Sequence, residues 1–185
     1  CFDETEKYLK LAMDNPTPLA HQVASKRFIA LLYHESAIAE AEQAIAIDPN
    51  DADGYMAMAV ALIYFGKPKE AVDFVKKAMR LDPHNIANHL YTLGLAHFGM
   101  EKFQEAANFF ERAFELKPEL GLLQRAYLAV AYVYLGQEEK AKAELDDPNI
   151  ESREQYNIWV KNRASYKNPK DRDRLLHGLS KVGVE

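Results

Sequence analysis

Cysteine is almost missing from this chain: the one in 185 residues is Cys1, so no internal disulfide can form and cysteine usage leaves the redox compartment open. Long apolar runs are missing too, since none reaches the roughly 18 residues of a membrane-spanning helix. Basic residues are not in excess. With 23 Lys and Arg against 28 Asp and Glu, a net charge of −5, the chain lacks the basic patch expected of a general nucleic-acid binder. There is no G-x-G-x-x-G, Walker, H-E-x-x-H or C-x-x-C sequence. The histidines at 21, 34, 84, 89, 97 and 177 never fall three or four apart. His89 and His97 on one expected helix lie about 12 Å apart, too far to share a metal without outside ligands. The paired acids Glu138-Glu139 and Asp146-Asp147 read as solvated helix ends. The reading is of a non-enzyme with no metal, no cofactor, no nucleic-acid partner and no membrane span.

What is present is a repeat. The remaining composition, 48% hydrophobic and 28% charged, is that of an ordinary globular protein,. Within it, residues from Ala52 to Pro83 read as two short amphipathic helices. Counting Ala52 as position 1 places Tyr55 at 4, Ala59 at 8, Leu62 at 11, Gly66 at 15, Ala71 at 20, Val75 at 24, Ala78 at 27 and Pro83 at 32. Small residues at 8, 20 and 27 let helix backbones approach closely, while Tyr55, Leu62 and Val75 fill the space beside them.

The same register recurs three more times. From Pro18 it gives Ser25, Phe28, Ala37, Ala41, Ala44 and Pro49; from Ala87, Gly94, His97, Ala106, Phe110, Ala113 and Pro118; from Leu122, Ala129, Tyr132, Gly136, Ala141 and Leu145. In the third repeat Glu101 stands where the turn glycine is expected, and Gly99 is expected to absorb the bend. In the fourth, Pro148 at position 27 cuts the second helix short. Upstream, residues 3–14 match the second half of a repeat, with Leu9, Ala12 and Met13 in register with Val75, Ala78 and Met79.

This large-and-small pattern at a period of about 34 resembles the tetratricopeptide family. The resemblance implies an all-α, right-handed α-α superhelix, a solenoid with C-terminal capping helices. The expected organisation is a partial repeat over 1–16, repeats over 18–51, 52–86, 87–121 and 122–148, and a cap over 149–185. In the cap, Ser152 with Gln155 makes a capping box, Tyr156, Trp159, Val160 and Arg163 share a face, and Asn168-Pro169 starts a last helix striped with Leu175, Leu176, Leu179 and Val182. Residues 151–185 carry net +3 against −8 for the rest, so the cap is expected to dock on the acidic body.

In this family the first helix of each repeat lines a concave groove. Carried onto this sequence, that groove holds Gln22 and Lys26, then Met56, Val60 and Tyr64, then Tyr91, Leu95 and Phe98, then Tyr127, Val130 and Tyr134. Gln22, Lys26, Met56 and Val60 do not match the Lys and Asn that repeats of this kind use to hold chaperone tails. An apolar, aromatic groove should not stay wet. Either a peptide or helix of a partner fills it or the chain's own C-terminal helix does, and the work expected is protein–protein interaction. Self-association through open solenoid ends is a further expectation.

Three stretches resemble a subset more narrowly: AEAEQAIAIDPNDADGYMAMAVALIYFGKPKEAV, AMRLDPHN followed by LYTLGLAHF, and YKNPKDRDRLLHGLSKVGV. They are similar to repeat regions that follow class III adenylate or guanylate cyclase domains in many bacteria. That resemblance implies a cytoplasmic regulatory region of a signalling enzyme. Cys1 read as a lipidated terminus implies a periplasmic or envelope-anchored protein instead.

Overall fold

In the computed structural model, residues 9–146 and 164–183 are described. Among them the chain is helical, without strands: residues 9–12 form a helical turn, and four helix pairs follow. These are α1 (Pro18–Ala30) with α2 (His34–Ile47), α3 (Ala52–Phe65) with α4 (Pro68–Leu81), α5 (Ile86–Gly99) with α6 (Phe103–Leu116), and α7 (Leu122–Tyr134) with the short α8 (Glu138–Leu145). A last helix, α9, spans Pro169–Lys181. The upstream turn keeps only the end of the helix expected over 3–14, because residues 1–8 lie outside the described part. The capping box at Ser152 and the face of Tyr156, Trp159, Val160 and Arg163 lie outside it as well.

The helix starts are written in the sequence. Thr17 accepts the Ala20 amide at 3.2 Å ahead of Pro18, Asp51 accepts the Asp53 amide at 3.0 Å, and Asn168 accepts the Lys170 amide at 3.1 Å ahead of Pro169. Each side chain satisfies a donor that the first helical turn leaves unpaired, and proline at the first position loses no bond.

The turns inside the pairs are equally uniform. Position 15 of each repeat is left-handed: Leu32 (φ 65°), Gly66 (φ 96°), Glu101 (φ 61°) and Gly136 (φ 72°). The next amide in each case bonds back five residues, Tyr33 to Phe28, Lys67 to Leu62, Lys102 to His97 and Gln137 to Tyr132, at 2.8–2.9 Å. The position-15 amide closes the inner bond, for example Glu101 to the Phe98 carbonyl at 3.0 Å. This is the Schellman ending four times over. The bend in the third repeat falls on Glu101 itself and not on Gly99, which ends α5 in helical conformation against Pro68. The six-residue bond pattern needs a left-handed residue at that one place, and a glycine two positions earlier cannot supply it.

Packing follows from the small positions. Ala37, Ala41, Ala44, Ala59, Ala71, Ala78, Ala106, Ala113, Ala129 and Ala141 are all fully buried. Positions 8 and 24 compensate each other in size across a pair: Ser25 goes with Ala41, Ala59 with Val75, Ala129 with Leu145, and Gly94 with Phe110. A Cβ on Gly94 would overlap the fully buried Phe110 ring. The hydroxyl of buried Ser25 donates to the Ala37 carbonyl at 2.7 Å, so the one polar member is satisfied,. Between repeats, the Tyr132 hydroxyl donates to Glu111 at 2.6 Å and Arg125 lies over the Phe114 ring; within the fourth repeat Arg125 also pairs with Glu144 at 2.8 Å. The first helices of successive pairs also touch one another, α1 with α3, α3 with α5 and α5 with α7. They form the inner face, and α9 packs there on α7.

Candidate functional site

The inner face separates into a buried aromatic floor and a more open N-terminal end. On the floor, Phe98 (1% exposed) meets Tyr127 (1% exposed) edge-on at 5.4 Å between ring centroids. Phe98 also meets Phe103 edge-on at 5.6 Å, and Phe103 stacks on Tyr134 at 4.4 Å. Such edge-to-face and offset pairs contribute beyond the area they bury. Leu95 and Val130 are buried beside them, and half-buried Tyr91 lies over Phe110 at 5.3 Å.

At the open end the side chains face elsewhere. Gln22 is buried, but its amide donates to Asp51 at 2.5 Å at the start of α3. Lys26 is exposed. Val60 packs on a small cluster with Ile29, Ala37 and Ala61, while Met56 leans on the main core. The structure thus gathers Tyr64, Phe98, Tyr127, Val130 and Tyr134 into one place and leaves Gln22 and Lys26 apart from it.

Residues 164–183 lie over that floor. Tyr166 enters between two tyrosines: its ring is 4.8 Å from Tyr64, and its hydroxyl donates to the Tyr127 hydroxyl at 3.0 Å. Burial pushes both the Tyr127 and Tyr166 phenols well above their usual pKa, so both stay neutral hydrogen-bonding groups,. The Lys167 amide donates to the Tyr64 carbonyl at 2.8 Å. Its ammonium sits over the Phe65 ring, 4.0 Å from the centroid, and pairs with Glu35 at the start of α2. That ammonium holds the Glu35 carboxyl below the usual carboxylate range, the hydrogen bond being the main cause.

Helix α9 then runs along the groove with Leu175, Leu179 and Val182 buried beneath it. Each such side chain contributes about 1.5–3 kcal/mol when fully removed from water. Gly178 sits directly on Val130, with no room for a Cβ. Arg174 bridges Asp171 at 2.8 Å and Glu101 at 2.5 Å, and its carbonyl accepts the Tyr134 hydroxyl at 3.2 Å. The end of the helix borders α8 across a cleft lined by Glu139, Lys142, Leu145 and Lys181. Of the two occupants open from the sequence, the chain's own C-terminal helix is the one in the groove here. The ion pairs to Glu35 and Glu101 are the form the charge asymmetry takes.

Sequence reasoning passed over Phe103, Glu101, Glu35 and Gly178 as groove residues. Phe103 belongs to a second helix, where no groove residue is expected. Gly178 carried a readable signal, a glycine inside the apolar stripe between Leu175 and Leu179, which marks a close backbone approach. Among the described residues no group of three or more His, Cys, Asp or Glu side chains is placed to hold a metal, and no helix is long and apolar enough to cross a membrane.

Residues 31–113 match the family model described as anaphase-promoting complex, cyclosome, subunit 3. No curated protein matches the chain. Among solved structures, the chain is similar to TTC0263, a thermophilic TPR protein of Thermus thermophilus, at 20% identity and TM-score 0.66 over 97% of this chain and 92% of that one. It is similar to YrrB, a TPR protein with an unusual peptide-binding site, at 20% identity and TM-score 0.54 over 96% and 91%. MamA from Desulfovibrio magneticus RS-1 follows the same path at 20% identity and TM-score 0.57 over 75% and 78%. With four Schellman-closed helix pairs in one register and these neighbours, the chain has the tetratricopeptide-type repeat fold, a solenoid of paired helices with its C-terminal helix laid in the groove.

Proposed function

We propose that this chain is a non-catalytic protein-interaction module whose groove takes an aromatic residue followed by a helix. The observation that carries the reading is Tyr166–Val182, seated as an intramolecular ligand on Tyr64, Tyr127 and Val130. A preformed groove spends little ordering entropy on a ligand, and helix-in-groove recognition uses apolar anchors at the spacing of Leu175 and Leu179. The peptide-binding site of YrrB, a protein of the same fold, is in keeping with this. The tail acts as a competitor, so partners gain access as it leaves.

The test uses a labelled peptide of residues 164–183 and the full chain carrying Tyr166→Ala and Leu179→Ala, which weaken the chain's own tail. Micromolar binding, about −8 kcal/mol, is expected for this chain, and binding at least about a hundredfold weaker for the unaltered one, whose tail competes. A substituted, folded chain that takes up no peptide refutes the reading.

A second reading makes the module a regulatory arm of a class III nucleotide cyclase. It draws on the closing segment from Tyr166, whose sequence resembles the tails of such regions and which is the very segment in the groove. Metal-binding aspartates of a cyclase-like domain encoded upstream of Cys1 support it; an unrelated upstream sequence removes it.

A further inference from the structure

Three contacts between tail and groove restrict which helix can lie there. The first is the tyrosine cage around Tyr166. The second is steric: at Gly178 an added Cβ would overlap Cγ1 of Val130. Val130 is fully buried in α7 between the equally buried Ala129 and Ala131, so it has nowhere to move. Leu175 and Leu179 flank the glycine and fix the rotation of the helix, so the glycine position always meets Val130.

The third contact is electrostatic. Glu101 holds a left-handed backbone, φ 61°, at the place where the second and fourth repeats have Gly66 and Gly136, and only glycine adopts that conformation without cost. Its carboxylate accepts Nη2 of Arg174 at 2.5 Å. The arginine side chain is 12% exposed and Glu101 65% exposed, so a turn residue on the rim reaches over an otherwise covered guanidinium. Leu32, the other non-glycine at this position, is exposed.

We infer that the groove selects ligand helices by the pattern Tyr-x7-Arg-Leu-x-x-Gly-Leu, in which Glu101 reads the arginine and Val130 excludes any side chain at the glycine. The inference rests on the reading that the groove accepts a helix in trans, and it names the partner class: a protein segment carrying this pattern on a helix. Glu101 is a specificity residue at a turn whose backbone glycine would serve better,.

The experiment uses the Tyr166→Ala, Leu179→Ala chain and three labelled peptides spanning 164–183. The unaltered peptide binds. The Gly178→Leu peptide binds at least about tenfold more weakly, and lost helicity does not explain the loss because leucine favours helix over glycine. The Arg174→Glu peptide weakens by about fivefold or more and recovers on a chain that also carries Glu101→Arg. If the doubly substituted chain loses its helical circular dichroism, the Tyr166→Ala chain serves as recipient, since its one change removes the tyrosine anchor of the tail and leaves Glu101, Arg174 and Gly178 unaltered.

Equal binding of the unaltered and Gly178→Leu peptides, or no recovery on charge reversal, overturns the pattern and leaves the groove reading standing. No binding of any peptide to a folded recipient overturns the groove reading. Dimers of the unaltered chain that exchange tails and exclude every peptide assign the groove to a second copy and overturn the partner class.

Discussion

Tyr166→Ala should release the C-terminal segment without unfolding the repeats. The tyrosine is 7% exposed, its ring packs on Tyr64 at 4.8 Å, and its hydroxyl donates to Tyr127 at 3.0 Å. Truncating a buried aromatic residue costs about 3–5 kcal/mol. The lower end applies here, because Tyr64 is only half-buried and water can enter from the rim. Tyr166→Phe removes only the hydroxyl donor, about 1 kcal/mol, and leaves the Tyr127 oxygen 3.5 Å from that of Tyr64. The assay is amide exchange at Lys167, whose bond to the Tyr64 carbonyl exists only while the segment is docked. Exchange should rise about fivefold for Tyr166→Phe and about a hundredfold for Tyr166→Ala. Amides inside α4 and α6 should keep their original rates. An unchanged Lys167 rate in Tyr166→Ala refutes the docking account. A rise of the same factor throughout α4 and α6 refutes the independence of repeats and tail.

Three further outcomes follow from the same structure. Gly94→Ala should destabilise by about 1–2 kcal/mol, an overpacking cost against Phe110 partly offset by the helix preference of alanine; adding Phe110→Val should recover part of it, and strictly additive denaturation midpoints contradict the pairing of positions 8 and 24. His34, His89 and His97 have pKa values lowered first by burial, and their Nδ1 atoms find no hydrogen-bond partner among the described residues. Below about pH 6.5 the unfolded chain therefore binds more protons than the folded one, and stability falls as pH drops, by at most about 1.4 kcal/mol per unit for each histidine. Urea midpoints at about pH 7.5 and about pH 5.5 check this: the second should be lower, less so in His89→Gln, and equal midpoints contradict it. At the alkaline end, the phenols of Tyr127 and Tyr166 should ionise well above those of exposed tyrosines, and an ultraviolet titration in which all tyrosines ionise together excludes their burial.

The repeats were legible because each of their positions carries a local cause. Small residues at 8, 20 and 27, proline at helix starts and glycine at 66 and 136 each demand a particular backbone or approach distance, and the four registers agree except where Pro148 stands at position 27. Glu101 was harder to read. Its left-handed turn repeats the pattern of Gly66, but its side chain is explained only by Arg174, a partner 73 residues away. Position on a helix locates Tyr64, Tyr127 and Val130 in the groove but not the direction of Gln22, drawn aside by Asp51. Nothing local announces that Tyr166 fits between Tyr64 and Tyr127, since such long-range pairing depends on the assembled curve of the solenoid. The glycine in the leucine stripe of α9 and the net positive charge of residues 151–185 are the readable traces of that docking.

The central claim is that the C-terminal helix lies in the groove with Gly178 against Val130. Its most direct test is nuclear Overhauser contact between the Val130 methyls and the Gly178 α-protons in the full chain with methyl-labelled valine. The account predicts strong cross-peaks that weaken in Tyr166→Ala. Val130 methyls that show no contact to Gly178 in the unaltered, folded chain contradict it.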